Sequence, residues 1–328
     1  MAASDGRFCV SNKWGIAKFI LRRLAFGVLT LLVVSIIVFG ATQLLPSDPA
    51  QAKLGRNATP ASLKALRDQM GLDRPKINQY FSWLKGMVTG KPGDSLAAGV
   101  PITSYISDRV VNSLFLLVLA SIVSVPASLG LGAYMARKPA RLMSNAMLAL
   151  ASLPEFVVGI ALVITFSTRL FHVLPAVSAI DIGKGPWTDP KGAILPTITL
   201  AIGAIPYISR TDRASLIEVL QSDYVEMARL KGIPERQVMR RHAFPNALGP
   251  VLQVIALNIA YFAAGVIVVE AVFNYPGVGG AMSDAVKGRD FPVVQFLAMS
   301  LAAVYVVTNI AADVGTLLVT PRLRTRLR

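Results

Sequence analysis

Six stretches of this chain are apolar over the length that a lipid bilayer requires, and they constrain its fold more than any other feature. An α-helix crosses the hydrocarbon core with about 17–25 mainly apolar residues. Charged residues make up only 16% of the chain, against about 25% in soluble globular domains. We therefore predict an all-α polytopic membrane protein with six transmembrane helices, at 20–45, 110–135, 142–168, 193–210, 249–272 and 293–319.

The fourth of these spans is interrupted by Pro196, Gly203 and Pro206. Neighbouring helices can satisfy the backbone groups that a proline frees inside a membrane, so the span is retained. The first span is longer than the core of a removable signal peptide, about 7–15 residues, and no small-residue cleavage site follows it. It is predicted to stay as a transmembrane helix.

Basic residues are concentrated in alternate connections between the spans. With the N-terminal segment 1–19 in the cytosol, the connection after the second span, the stretch 210–241 and the basic tail 320–328 all lie inside and are rich in lysine and arginine. The two short outer connections contain few, and the long segment 46–109 counts little, because loops beyond about 60 residues cross regardless of charge. The net charge of +15 therefore indicates topology, with both termini cytosolic, and not a nucleic-acid-binding surface.

The polar segment 46–109 follows the first span and is predicted to form a small extracytoplasmic helical cap. Thr59 followed by Pro60 is typical of a helix start, and Gly71 of a helix end. The cap folds without disulfides, because Cys9 is the only cysteine of the chain.

A charged cassette, 212–248, separates the fourth and fifth spans and cannot lie in lipid. Gly232 is predicted to end one helix and Pro234 to begin a second. One helical stripe is predicted for the first of them, consisting of Leu216, Leu220, Tyr224, Met227 and Leu230. Periodicity alone leaves two interpretations open, a basic amphipathic hairpin lying on anionic lipid or a docking surface for a soluble protein.

The residues of the cassette favour docking. Glu226-Met227-Ala228, with Gly232 six residues after the glutamate and Pro245 thirteen after the glycine, resembles the Glu-Ala-Ala…Gly signature of the membrane subunits of ATP-binding-cassette importers. Met227 departs from the second alanine of that signature. In that family this loop docks on the ATPase. The resemblance therefore implies a set of ATPase-docking residues, namely Asp223, Tyr224, Glu226, Ala228, Lys231, Gly232, Ile233, Pro234, Arg240, His242 and Asn246.

The resemblance to the oligopeptide/dipeptide/nickel branch of type I importers extends over nearly the whole chain. It includes, in the expected order, Leu72-Asp73-Arg74-Pro75, Ser152-Leu153-Pro154-Glu155-Phe156, Glu270-Ala271-Val272-Phe273 and Tyr275-Pro276-Gly277-Val278-Gly279. Gly90-Lys91-Pro92-Gly93-Asp94 departs from the Gly-Asp-Leu-Gly of that branch, which leaves the local turn uncertain. The specificity lies in the collinear set and not in any one piece.

The resemblance implies a permease subunit in the bacterial cytoplasmic (inner) membrane. Its expected partners are a second permease, two ATPase domains that bind ATP and magnesium, and an extracytoplasmic substrate-binding protein. The expected cargo is a di- or oligopeptide, with nickel, haem or glutathione as alternatives. The sequence lacks a stripe rich in His, Cys and Met, which favours peptides over a bare metal ion.

Ionisable residues within spans are costly and are therefore candidates for function. Glu155, with Phe156 beside it, is a candidate for the transport pathway; the alternative is an acid at a helix break, bonded to backbone or to Arg169. Asp313 is predicted to bridge neighbouring helices, and Glu270 to lie at the membrane interface.

No catalytic set, metal site or cofactor site is predicted for this chain. His172 and His242 fall on opposite sides of the membrane in this topology, and no phosphate-binding loop of the Walker type is present. Energy is therefore expected from a partner. Two other classes remain open: a channel or ion-coupled secondary transporter, which would not explain the cassette, and an intramembrane enzyme, for which no convergent catalytic groups are evident.

Overall fold

The computed structural model describes residues 13–44, 49–54, 59–70, 73–138, 141–181 and 183–319. Within these ranges the fold is all-α, as predicted, and the β-structure is limited to an isolated bridge between Asp94 and Pro101. The helices are α1 (Lys13–Leu44), α2 (Pro49–Leu54), α3 (Pro60–Met70), α4 (Lys76–Val88), α5 (Ile102–Arg137), α6 (Arg141–Ala151), α7 (Glu155–Val163), α8 (Ile194–Leu220), α9 (Asp223–Leu230), α10 (Glu235–Gln237), α11 (Phe244–Phe273), α12 (Val278–Lys287) and α13 (Phe291–Val319). The predictions for Cys9, for Gly71 and for the tail 320–328 lie outside the described residues.

Membrane-spanning length and composition are found in α1, α5, α13 and the helical run from Glu235 to Phe262. Two bent pairs pass the same test together: α6 with the α7 segment, bent by 102°, and the end of α11 with α12, bent by 80°. The described residues thus offer four to six spanning elements by these criteria. The span predicted for 142–168 is not one straight helix, because the chain turns at Pro154 between α6 and α7.

The predicted fourth span corresponds to the first part of α8, which is not among the helices that pass the apolarity test. The reason is its position: α8 packs between α5 and α11, so most of its surface faces protein and not lipid. Its buried Leu200 and Ile208 share a core with Leu116 of α5 and Phe262 of α11. A helix enclosed in this way does not need the apolar composition of a lipid-facing one.

The segment 46–109, predicted to be extracytoplasmic, is attached to the spans at two places. The Ser35 and Tyr80 hydroxyls lie 2.7 Å apart and connect α1 to α4, where Phe39 also packs on the Tyr80 ring. Near the start of α13, Asp290 Oδ2 accepts hydrogen bonds from the Ser95 hydroxyl at 2.5 Å and from the Ala97 amide at 3.1 Å. The segment is therefore docked on α1 and on the start of α13.

Two acids within predicted spans have different roles. Asp313 bridges neighbouring helices as predicted, because its carboxylate lies 3.1 Å from Arg23 Nε of α1. Glu270, predicted to lie at the membrane interface, is buried within the protein and accepts hydrogen bonds from Ser113 Oγ at 2.5 Å and the Gly279 amide at 2.6 Å. The Val278 amide in turn donates to Ser113 Oγ at 2.8 Å. Glu270 thus holds the start of α12 against α5 and α11.

Replacing Glu270 with Ala should destabilise the protein, because two buried donors lose their acceptor. Each donor left unpaired costs about 1–3 kcal/mol. Thermal unfolding of the purified protein in detergent should show a clear fall in midpoint. Asp284→Ala is the matched control: its carboxylate is exposed and lies 3.4 Å from Arg109, and such exposed pairs contribute at most about 1 kcal/mol. Equal midpoints for both variants would contradict this role of Glu270.

The predicted orientation can be tested with single cysteines on a Cys9→Ser background. Lys191 and Gln221 are both exposed, the first in the connection before α8 and the second between α8 and α9. In sealed cells, Lys191→Cys should react with a membrane-impermeant thiol reagent and Gln221→Cys should react only after the cells are opened. Labelling of Gln221→Cys in sealed cells would reverse the assigned topology.

Candidate functional site

The cassette consists of α9, a tight corner, and α10, which continues through π-helical residues Val238–Ala243 into α11. The sequence predicted one continuous stripe from Leu216 to Leu230, and this prediction is wrong. Helix α8 ends at Leu220, and a turn at Gln221 and Ser222 lets α9 start in a new direction. The stripe is therefore divided between two helices.

This division changes which face of α9 is buried. Val225 and Ala228 of α9 pack on Val238, with Leu220 and Ile233 beside them. The remaining residues of the predicted stripe point outward: Tyr224 is 42% exposed, Met227 57% and Leu230 75%. We call these three residues the apolar tip. An apolar surface exposed on a short helix indicates a contact that the isolated chain does not make.

Gly232 forms the corner, with a left-handed backbone at φ +74° as the sequence predicts. Its amide donates to the Arg229 carbonyl at 2.9 Å, and the Ile233 amide donates to the Ala228 carbonyl at 3.2 Å. These two bonds form a Schellman motif, in which a residue without a side chain is favoured at the left-handed position. Pro234 follows with an extended backbone and starts α10.

An ion pair joins the two arms of the cassette. Arg229 Nε donates to Glu235 Oε2 at 3.1 Å and Nη2 donates to Oε1 at 2.9 Å, which is the bidentate geometry of strong guanidinium–carboxylate pairs. The hydrogen bond with Glu235 raises the pKa of Arg229. Glu226, in the first turn of α9, is exposed and makes no such bond. The sequence signal that could have identified this pair is an arginine shortly before the corner Gly232-Ile233-Pro234 and a glutamate directly after it.

The structure distributes the predicted docking residues unevenly. Ala228 is buried, and Ile233 and His242 are half-buried, so these three support the surface more than they form it. The exposed ones are Asp223, Tyr224, Glu226, Lys231, Gly232, Pro234, Arg240 and Asn246. Arg240 lines a basic cleft of about 680 Å³ along the second arm, together with Pro234, Arg236, Gln237 and Arg241.

A second core connects the cassette to the spans. Leu216 of α8 packs with Met239, Ala243 and Ala247, and Ala133 of α5 lies against them. Since Met239 belongs to the second arm and Ala247 to α11, this core packs the cassette against the adjoining ends of α5, α8 and α11.

The candidate pathway residues lie at the break between α6 and α7. Glu155 is the first residue of α7, and Phe156 beside it is exposed. Arg169 is fourteen residues further along, about 20 Å at 1.5 Å per residue, so pairing of Glu155 with Arg169 is wrong. Glu155 Oε1 is buried without a hydrogen-bond partner among the described residues.

The N-terminus of α7 stabilises an ionised Glu155 by less than the free energy that burying its charge costs. A helix N-terminus stabilises a carboxylate by about 0.3–1 kcal/mol. A charged acid at the centre of a membrane helix costs about 2.5–3.5 kcal/mol. The helix terminus does not offset that cost, so an ionised carboxylate here needs water or a cation as well, and without them the acid is neutral. Within the described residues, no group of three or more His, Cys, Asp and Glu side chains could hold a metal ion.

Comparison with known proteins identifies the family. Residues 124–325 match the family described as binding-protein-dependent transport system inner membrane component, and residues 16–125 match its N-terminal region. A probable peptide ABC transporter permease protein y4tP of Sinorhizobium fredii (strain NBRC 101917 / NGR234) is 34% identical over 312 residues, covering 93% of this chain and 99% of the relative. The glutathione transport system permease protein GsiC of Escherichia coli (strain K12) is 32% identical over 311 residues, with 94% and 99% covered.

The chain therefore belongs to the family of binding-protein-dependent transport system inner membrane components, and is a permease subunit of an ABC-type importer.

The Arg229–Glu235 pair predicts a charge-exchange result. Arg229→Glu or Glu235→Arg alone should speed amide hydrogen exchange of α9 by about two- to fivefold, because an exposed pair contributes about 0.5–1 kcal/mol. The double variant Arg229→Glu/Glu235→Arg should return the exchange rate toward wild type. If the double variant exchanged as fast as the two single effects combined, the pair would not join the arms.

Proposed function

We propose that this permease forms, with a second and non-identical permease, the membrane pathway for di- and oligopeptides delivered by an extracytoplasmic binding protein. Two ATPase domains bind ATP and magnesium and drive the cycle from the cytosolic face. The main support for the proposal is the apolar tip, which is exposed on α9 next to the corner at Gly232. Both termini and the cassette are assigned to the cytosol.

The chemistry of the tip favours a protein partner over a lipid surface. Asp223 and Glu226 lie in the first turn of α9, next to the tip, and anionic lipid would repel them. Of the five basic residues that would attract lipid, Arg236, Arg240 and Arg241 lie on the other arm, Arg229 is paired with Glu235, and Lys231 lies beside the tip. A short helix with an apolar face and a charged rim suits a groove on a soluble subunit.

The mechanism follows from how the cassette is anchored. ATP closes the ATPase dimer and moves α9 with it, and the Arg229–Glu235 pair carries α10 along. Because α10 continues into α11, and α8 leads into α9, both helices move with the cassette. The spans then alternate between inward and outward openings, each state being favoured by a different ligand.

Peptide cargo is supported by the name of one relative, and glutathione by that of the other. Nickel and haem remain alternatives within the same importer class. A channel or ion-coupled secondary transporter would account for the spans and the acids within them, but it would leave the apolar tip without a partner.

Coupling through the corner can be tested with two glycines in the same strained conformation. Gly232→Val and Gly90→Val both place a side chain at a positive φ, +74° and +71°, with open space around it, so both should lose about 1 kcal/mol or more of local stability. Only Gly232→Val alters the cassette. We expect it to abolish peptide uptake and peptide-stimulated ATPase activity in the reconstituted complex, while Gly90→Val retains both.

Membrane level and assembly should be measured in parallel, by quantifying this chain and its co-purified partners. Both variants should remain in the membrane, since neither glycine lies in a span. Equal uptake by Gly232→Val and wild type would contradict the coupling role. ATP hydrolysis by this chain purified alone would contradict the assignment of that activity to partners.

A further inference from the structure

The side chain of Glu155 occupies a gap between α8 and α11 that two glycines create. A Cβ on Gly203 of α8 would lie 3.0 Å from Glu155 Oε1, and a Cβ on Gly265 of α11 would lie 2.6 Å from Oε2. Any larger residue at either position would displace the carboxylate. The three helices α7, α8 and α11 therefore form a fitted recess around this acid.

Two tyrosines flank the recess on its cytosolic side. Tyr207 follows Gly203 by four residues and Tyr261 precedes Gly265 by four, so each lies one turn from its glycine on the same helix face. Because α8 runs toward the cassette and α11 away from it, both tyrosines lie on the cassette side of the carboxylate. They are 49% and 53% exposed, and Tyr261 lies within electrostatic range of both Glu155 and Tyr207.

No described residue supplies a positive partner for the Glu155 carboxylate in the recess. No ion pair of the described residues includes Glu155, and its buried Oε1 lacks a donor. Its first-turn position on α7 does not offset the cost of an acid at this depth, near the middle of the third predicted span. An ionised Glu155 therefore needs water or a cation that the described residues do not supply.

We propose that Glu155, Tyr207 and Tyr261 form a binding site for the ammonium group of the cargo, at mid-depth in the transport pathway. The inference rests on the proposed function, which makes the cargo a peptide with a free amino terminus. The carboxylate accepts charge-assisted hydrogen bonds from the ammonium, and the exposed tyrosine rings offer cation–π contacts. Gly203 and Gly265 are positioning residues that keep the recess open.

The binding step can be probed with Phe156→Cys on a Cys9→Ser background, because Phe156 is exposed beside Glu155. In the purified importer complex without binding protein, millimolar trialanine should slow thiol labelling of this cysteine, and N-acetyl-trialanine should not. Adding Glu155→Gln should remove the protection. Equal protection by both peptides, or none by either, would overturn the ammonium site.

The transport step separates this proposal from a structural role. With the complete complex and loaded binding protein, Glu155→Gln should lower the rate of trialanine uptake about tenfold or more, and Glu155→Asp should recover part of it. Tyr261→Phe, which retains the ring, should transport far better than Tyr261→Leu. Wild-type uptake by Glu155→Gln, or equal uptake by the two Tyr261 variants, would contradict the site.

Assembly distinguishes the remaining partner for Glu155, a basic residue of the second permease. If Glu155→Gln released the second permease during purification, the acid would belong to the subunit interface and the proposal would fail. Failure of the wild-type complex to transport trialanine or any other peptide would instead contradict the proposed function. That outcome is read from the wild-type complex and not from the variants.

Discussion

The packing of α8 between α5 and α11 is the interaction on which the rest of the structure depends. Enclosure by protein lets α8 include Pro206 and Gly203, neither of which favours an isolated helix. The same helix passes the Glu155 recess and leads into the cassette at its C-terminal end. One buried helix therefore connects the candidate pathway with the candidate docking surface.

The cassette keeps its apolar tip exposed. The proposed docking of a partner requires this, and therefore requires that the two arms do not fold together over the tip. The Schellman corner at Gly232 and the Arg229–Glu235 pair fix the angle between the arms, while the core around Val225 and Val238 buries the opposite face of α9. The surface is therefore preformed, and the proposed docking on an ATPase would cost the cassette little conformational entropy.

The sequence predicted the features that are determined by residues close together in the chain. The apolar runs predicted the all-α membrane fold, and Gly232 with Pro234 predicted the corner. The end of α8 at Leu220 was missed because the apolar period continues unbroken through the turn at Gln221. The burial of Glu270 was missed because its partner, Ser113, is 157 residues away. The Glu155 recess needs residues from three helices, which no local pattern brings together.

The apolar tip is proposed to be the surface that the ATPase covers. The most direct test measures thiol labelling of Leu230→Cys, on a Cys9→Ser background, in the purified permease with and without the ATPase subunits. Leu142→Cys, an exposed position at the start of α6, serves as the reference. If the ATPase covers the apolar tip, it should strongly slow labelling at Leu230 and leave labelling at Leu142 unchanged; an unchanged rate at Leu230 in the assembled complex would show that the tip is not the contact.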